Sequence, residues 1–520
     1  MGVSGEGFWA SRFQKLDGKR MAHLNRCRRC AELTIPSLLP PEGADENTPL
    51  PTPYQGVGAN AVNNLTAKLL LTLMPPNSPF FRMDIDEVEL EKLKEDLGDQ
   101  QVKTRINKKL ALLERRAVKW VERLAYRVQL FKAIRLLVVS GNALIEKVLE
   151  TGKLKIHRLD KYVVRRDGDG NVRELVIREK VSLSDLPEEM RPEKDDPKRP
   201  HDEDNIDLFT FAVWTGKQWE YGQEALGKTV PDSEGTAPKG KLPFIVLTWT
   251  LADGENYGRG HVEDYLGDFH SLDSLSEALL DGAQLAALVK FLVDPNGMTN
   301  IEDVRSAPNG GYAPGTPDDI HALSLDKYAD FKTAYEQSIR IEERLSRAFL
   351  LVHSIQRNAE RVTAEEIRLM AQELEDALGG VYSVLAQELQ RPLAELVVDD
   401  MRKKNALPPL PAVELTIVTG FDALGRGHDL ARLQTFLQNI TPMGEQAIQL
   451  YINVANYIER VAAALGMDTS GLVKTEEEVA QAQQNGQMMG LLEKLGPQIM
   501  KLMQEQGGMG GATEGAAGGQ

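Results

Sequence analysis

QRNAERVTAEEIRLMAQELEDALGGVYSVLAQELQRPL, residues 356–393, holds two helix signals in succession. Thr363 stands three residues before Glu366, the spacing at which the two side chains satisfy backbone N–H groups that a first helical turn leaves free. Behind this cap Ile367, Met370, Leu374, Leu378, Val381, Leu385 and Leu389 recur at steps of three and four, one apolar stripe on a helix. Continued towards Lys404, the helix has about forty residues and spans about 60 Å. Gly379-Gly380 and Pro392 lie inside the pattern, so bends are expected there. A helix this long cannot bury its stripe in a small domain of its own. It reads as the spine of a larger assembly.

Just before the cap, Gln356-Arg357-Asn358-Ala359-Glu360-Arg361 reads on pattern alone as a solvated connection between helices. Further back, the periodicity predicts a helix over 259–293. One face offers Val262, Leu266, Phe269, Leu272, Leu275, Leu279 and Ala283; Glu263, Asp264, Asp268, Asp273, Glu277 and Asp281 occupy the rest, with no Lys before Lys290. Residues 294–329 hold Pro295, Gly297, Pro308, Gly310, Gly311, Pro314, Gly315 and Pro317, a compact turn-rich insert. Helix resumes at about 331–350 with Tyr335, Ile339 and Leu345, beside Glu336, Glu342 and Glu343.

The N-terminal half begins with helices expected over 8–33 and 58–73, then a helical pattern from 88 to about 139. Between 103 and 135 lie eleven Lys or Arg and two Glu. This reads first as a solvated face, and alternatively as a contact for DNA or for an acidic protein surface. From 141 to 250 short strands replace helices: Leu144–Leu149, Leu154–Leu159, Tyr162–Arg166, Arg173–Glu179, Leu208–Trp214 and Phe244–Trp249. Asp167-Gly168-Asp169-Gly170-Asn171 is a hairpin turn, whereas 186–205 is rich in charge and Pro and is expected to be an exposed loop. After Pro411 come an apolar run (Val413–Val418), helices at about 427–440 and 443–465, and a further helix from Thr475, capped by Glu478. The last fourteen residues are mostly Gly, Ala and Gln and are expected to be disordered. The fold class is mainly α with an antiparallel β region, α+β.

With 520 residues, 42% hydrophobic and 27% charged, the chain has room for two to four globular domains. A net charge of −16 argues against a protein that wraps nucleic acid tightly through a basic surface. Neither a signal peptide nor a transmembrane helix is expected. Cys27 and Cys30 suit a reducing compartment; with His23 they make a partial zinc-ligand set that no second cluster completes, so no metal is expected.

Gly222-Gln-Glu-Ala-Leu-Gly227-Lys228-Thr229 fits the P-loop pattern letter for letter, but Pro231, Asp232, Ser233 and Gly235 forbid the helix whose N-terminus would hold phosphate. A P-loop ATPase therefore remains only as the alternative reading. Gly56-x-Gly58-x-x-Ala61 follows Pro53-Tyr54 and not a strand, so it is a turn into a helix. The turn at 167–171 opens like a calcium loop, yet Val172 and Arg178 stand where Gly and Glu are needed. No catalytic motif and no cofactor site emerge.

A family resemblance runs the length of the chain. SIQRNAERVTAEEIR with ELEDALGGVYSVLAQELQRPL, TPYQGVGANAVNNLTAKLLLTLMPPNSPFFR at 52–82, SGNALIE at 140–146, VVRRDGDGNV at 163–172, DGENYGRGHVEDYLGD at 253–268 and GFDALGRGHDL at 420–430 resemble, in the same order, the portal proteins (head-to-tail connectors) of short-tailed bacteriophages. The resemblance implies a non-enzymatic homo-oligomeric ring of twelve copies at one capsid vertex. Double-stranded DNA passes through its channel during packaging and ejection. The implied partners are the terminase large subunit, major capsid and scaffolding proteins, and tail or adaptor proteins, with no membrane. The ring belongs to the virion and assembles in the host cytoplasm.

The resemblance also implies a division of the chain: an N-terminal wing (1–258), a stem helix (259–293), a clip (294–329), a second stem helix (330–350), a channel loop (351–362), a long kinked wing helix with a following strand (363–425), crown helices (426–480), and a C-terminal helix with a Gly-rich tail (481–520). Gln356, Arg357, Asn358 and Arg361 would then face DNA. Glu263, Asp264, Asp268, Asp273, Glu277, Asp281, Glu336, Glu342 and Glu343 would line the channel with charge that keeps phosphates off the wall. Asn296, Asn300, Arg305, Asn309, Tyr312, Asp318 and Asp319 of the clip would dock terminase and tail.

Overall fold

The computed structural model describes residues 7–45, 47–76, 79–85, 102–192, 201, 204–287, 290–323, 328–351, 364–404, 415–418 and 426–444, with 452, 457, 458 and 461 beyond them. Contacts divide the chain into two units, 1–424 and 425–520.

The first unit mixes helices with antiparallel sheets. Helix α1 (Phe8–Glu32) buries Trp9, Phe13, Leu16, Arg20, His23, Leu24, Cys27 and Cys30, steps of three and four that make one stripe. Helix α2 (Val57–Leu73) buries residues nearly all round, as a helix at the centre of a core does. Strand β1 (Arg82–Ile85) leads to α3 (Val102–Arg123) and α4 (Tyr126–Ser140), which are parted at Ala125 by a left-handed backbone (φ 53°). Part of the helix expected from 88 lies outside the described residues.

Strands β2 (Asn142–Lys147) and β3 (Leu154–His157) belong to a three-stranded sheet with β2 at its centre. A larger sheet runs β4 (Tyr162–Arg166), β5 (Val172–Ser182), β6 (Asn205–Trp214), β7 (Trp219–Ala225) and β8 (Lys228–Thr229), with β9 (Gly235–Ala237) also on β7. Strand β10 (Phe244–Thr248) pairs with β2. The first stripe of α1 covers the larger sheet: Trp9, Phe13 and Leu16 pack with Val163, Val176, Phe209 and Phe211, and Trp9 stacks on Phe211 at 4.2 Å. Arg20, buried beside them, donates to the carbonyls of Leu159 and Tyr162. The exposed loop expected over 186–205 is corrected in part. Leu186 and Met190 are buried against Leu183, Ile206, Leu208 and Val230, because short 3-10 turns fold this polar-looking segment onto the sheet.

Two of the quoted motifs meet in space. Gly141, left-handed at the end of α4, lies against Gly258 and Gly260: a Cβ on Gly141 would sit 2.3 Å from the Arg259 carbonyl carbon, and one on Gly260 would sit 2.6 Å from the Val139 oxygen. Only glycine permits such backbone-to-backbone approach.

From this glycine contact a helical hairpin departs: α5 (His261–Asp264), α6 (Leu266–Ala287), strand β11 (Lys290–Val293), α7 (Ile301–Ser306), strand β12 (Ile320–Leu323) and α8 (Tyr328–Ala348). The helix expected to reach 293 ends at Ala287. Residues 290–293 instead form a ladder with 320–323, where Phe291, Leu292 and Val293 favour a strand over a lone helical turn.

The expected forty-residue helix is segmented. It comprises α9 (Ala364–Leu378), α10 (Val381–Leu385), a π-turn (Ala386–Gln390) and α11 (Arg391–Lys403), with Pro392 at the start of the last. Gly379 and Gly380 are both left-handed (φ 63° and 94°), so they end a helix and do not merely bend it. Glu375 bridges the break, accepting the backbone N–H and hydroxyl of Ser383 at 3.0 and 2.5 Å. Strand β13 (Leu415–Val418) pairs with β1. The capping residue Thr363 lies outside the described residues.

In the second unit the described part is α12 (Arg426–Ile440), closed by a 3-10 turn at Thr441–Met443. The helices expected over 443–465 and from Thr475, and the Gly-rich end, lie almost wholly outside the described residues. No described helix is long and apolar enough to cross a membrane.

Candidate functional site

The helical hairpin carries most of the candidate residues. Its two long helices run antiparallel, joined near the base by Asp268 and Arg344 (2.6 Å) and further out by Phe331 packed over Gly282. The last carbonyls of α8, which the helix itself cannot satisfy, are taken by three side chains from elsewhere. His261 bonds the Ala348 oxygen (3.0 Å), Asn64 donates to those of Phe349 and Leu350 (both 3.0 Å), and Lys68 donates to that of Leu350 (3.0 Å). Leu350 itself is left-handed (φ 57°), so the chain turns sharply there. Burial holds the His261 imidazole below its ordinary pKa, and burial likewise lowers that of Lys68, which Glu373 faces at 3.8 Å.

The nine acidic candidates fall into two groups. Glu263 pairs with Arg26 and Arg259 (3.6 and 3.8 Å), Asp268 with Arg344, and Glu343 with Arg347 (3.7 Å). Asp273 accepts the Tyr54 N–H (2.8 Å), and Glu277 accepts the Tyr54 hydroxyl, which it holds above its ordinary pKa. Asp264, Asp281, Glu336 and Glu342 are exposed and make no ion pair with a described residue. Net negative charge on the hairpin is therefore carried by fewer side chains than composition suggests.

At the far end, Asp319 accepts the Thr299 hydroxyl (2.6 Å) and N–H (2.9 Å), and the hydroxyl bond holds its carboxyl below the usual range. Asn300 caps α7 through the Glu302 N–H. These two side chains build the turn. Asn296, Arg305, Asn309, Asp318 and Tyr312 are exposed, Tyr312 fully, and Met298 of the same segment is 94% exposed. Gln356, Arg357, Asn358 and Arg361 lie outside the described residues.

The remaining chemistry-like motifs resolve into structure. Gly222–Thr229 is the β7–β8 hairpin: Leu226 and Gly227 are both left-handed (φ 52° and 75°), the turn that a two-residue hairpin prefers, and Lys228 is exposed on a two-residue strand. The phosphate-binding alternative is thereby overturned, because no helix follows the loop to hold a phosphate. Cys27 donates to the Ser140 carbonyl and His23 bonds that of Gly258; burial raises both thiols, Cys30 to about 12. They are packed and inert. Glu146, His157 and Glu179 do cluster, which the sequence reading missed. Glu146 meets Nε2 of His157 (2.6 Å), and Glu179 faces Nδ1 (3.8 Å) while binding Lys155 (2.5 Å), so both carboxylates are already engaged by the ring and by a lysine.

A family model described as bacteriophage head to tail connecting protein matches residues 8–473. The chain belongs to that family. Among its relatives are the portal proteins of Escherichia phage T7 (40% identical, covering 92% of this chain and 90% of that protein), Pseudomonas phage phiKMV (34%, 88% and 90%) and Enterobacteria phage SP6 (31%, 95% and 96%). The neck of an empty gene transfer agent particle is also similar, at 14% identity and a TM-score of 0.35 over 73% of this chain and 86% of that one, a likeness too remote to bear on the argument. The chain is a connector between phage head and tail, of the portal type, and the channel for DNA and a part in its packaging go with that role.

The family motifs TPYQGVGANAVNN, SGNALIE and DGENYGRGHVEDYLGD thus supply Asn64, Gly141 and Asn142, and the segment from Gly258 to His261, at the hairpin base. Nothing in sequence spacing tied them to one another, since they come together only across the fold.

Proposed function

We propose that twelve copies of this chain close into a ring at one capsid vertex, with the antiparallel hairpin of each copy side by side around a DNA channel. One observation carries the reading: the hairpin exposes Leu280 (50%) on α6 and, four residues apart on α8, Tyr335 (58%) and Ile339 (37%), apolar residues that nothing among the described residues covers. Neighbouring copies would cover them through a repeated head-to-tail contact, which closes into a ring when the rotation permits. The hairpin is then the stem and its tip (294–329) the clip. The wing comprises 1–258 and 363–425, the long broken helix with its following strand, and the crown helices occupy 426–480. Residues 481–520 supply a C-terminal helix and a Gly-rich tail. The ring carries no catalytic activity of its own. A separate terminase motor docks on the clip through exposed groups such as Arg305, Asn309, Tyr312 and Asp318, and tail proteins follow it. Capsid and scaffolding proteins hold the wing, and the ring assembles in the host cytoplasm before entering the virion.

Within the channel, Asp264, Asp281, Glu336 and Glu342 keep phosphates from settling, while Arg357 and Arg361 of the loop 351–362 steady the duplex through weak, salt-screened contacts. Native mass spectrometry tests the assembly. Wild-type chain should appear as one high oligomer, and Leu280→Asp/Tyr335→Asp should shift it to small species; a stable wild-type monomer at micromolar concentration would refute the ring. Arg357→Ala/Arg361→Ala rings should assemble normally yet fill or retain DNA poorly.

A further inference from the structure

The basic run of 103–135 acquires a definite shape in the structure. Arg116, Lys119, Trp120 and Arg123 lie on one face of α3, where α11 brings Met401 beneath them, and together they line an open cleft of about 350 Å³. Trp120 is fixed: its indole N–H donates to Asp400 (3.0 Å), a carboxylate that also faces Lys147 (3.7 Å) and Lys404 (3.5 Å). The Arg123 guanidinium lies over the indole ring, 4.2 Å from its centre, and Lys404 approaches the ring at 5.4 Å. A guanidinium stacked in this way keeps its N–H edges free for two oxygens of one anion. Arg116 and Lys119 are exposed and pair with no carboxylate among the described residues. The helix dipole favours a cation at Arg123, in the last turn, but Arg116 and Lys119 lie one to two turns earlier, beyond its reach. In a chain of net charge −16, this leaves uncompensated positive charge concentrated on one helix face.

We propose that this cleft binds the phosphate backbone of duplex DNA outside the channel. The choice of DNA over another polyanion rests on the connector role, since DNA is the polyanion that a connector handles. Geometry favours a backbone over a small anion. Arg116 to Arg123 spans about 10 Å of helix, a length over which duplex DNA carries about six charges. The array is shallow and linear, and its aromatic face is already occupied by Arg123, so bases are not stacked and sequence is not read.

A covalently closed circular duplex cannot thread a channel, so it reports outer-surface binding alone. Binding of such a circle to assembled wild-type protein is measured across a salt series, with oligomeric mass recorded on the same samples. Arg116→Gln/Lys119→Gln/Arg123→Gln alters only exposed side chains and should leave the mass unchanged. It should weaken binding roughly tenfold or more near 0.1 M salt and flatten the log–log salt slope by about 2.7. Arg123→Lys keeps the charge but loses the planar edge, and should weaken binding a few-fold with the slope unchanged. If wild-type protein ignores the circle, or the triple variant binds it equally well, the proposal is wrong. If the triple variant instead loses only poly-L-glutamate, the cleft is a docking face for acidic protein and the proposal likewise falls. A change in oligomeric mass without change in circle binding would count against the ring and not rescue the cleft.

Discussion

Asn142 grips the backbone of Gly258 at both of its polar atoms: its side-chain amide donates to the Gly258 carbonyl (2.7 Å) while its side-chain oxygen accepts the Gly258 N–H (2.9 Å). The same amide donates to the Ser140 carbonyl (2.8 Å). These bonds fasten the end of α4 to the segment that launches the hairpin, at the point where Gly141 and Gly260 touch. Replacing Asn142 by Ala leaves the buried Gly258 N–H unpaired, at about 1–3 kcal/mol, while His23 and Cys27 still reach the Gly258 and Ser140 carbonyls. Amide exchange at Gly258, read by mass spectrometry, should therefore quicken about 5- to 150-fold, with little change in α12.

Gly282 faces Phe331 so closely that an added Cβ would lie 2.1 Å from the ring. Gly282→Ala should wedge the two long helices apart at about 1–3 kcal/mol and lower the yield of assembled protein. Adding Phe331→Leu makes room and should restore much of that yield. Equal assembly by Gly282→Ala and wild type would show that the helices part without consequence.

His261 is held neutral by burial while it bonds the Ala348 carbonyl. Its folded pKa lies below the unfolded value, so the unfolded chain binds the extra proton and stability falls as pH drops below about 6.5. Thermal unfolding should show a loss between pH 7 and pH 5 that is smaller in His261→Gln, whose amide can donate the same bond but does not titrate. Parallel curves for the two proteins would exclude His261 as a source of that slope.

Lys228→Ala should change neither assembly nor DNA packaging, because the side chain is exposed on a two-residue strand. Gly227→Val, one residue earlier, should cost about 1–2 kcal/mol, since its backbone is left-handed (φ 75°) and its carbonyl accepts the Gly7 N–H. ATP hydrolysis by wild-type rings that Lys228→Ala abolished would overturn the hairpin reading.

Much of the architecture was legible because local periodicity and local packing agree. The stripe of α1, the alternating strands β4 to β6 and the turn at Asp167 follow from neighbours in sequence. What was not legible depends on partners far along the chain. Residues 290–293 look helical until 320–323 offers a ladder, and Leu186 and Met190 look solvated until the sheet edge covers them. The acidic face of α6 was read as uniform because Arg26, Arg344 and the Tyr54 backbone cannot be placed beside it from spacing. Trp120 gave no warning at all, since Met401 and Lys404 reach it from nearly three hundred residues away.

The glycine contact at the hairpin base sets how stiffly the hairpin is mounted. Side chains absorb displacement by changing rotamer, whereas peptide planes in direct contact have no such slack. A displacement carried down α6 and α5 therefore reaches Gly141 through Gly258 and Gly260 with no layer of side chains between. The hairpin behaves as a spoke welded to its hub.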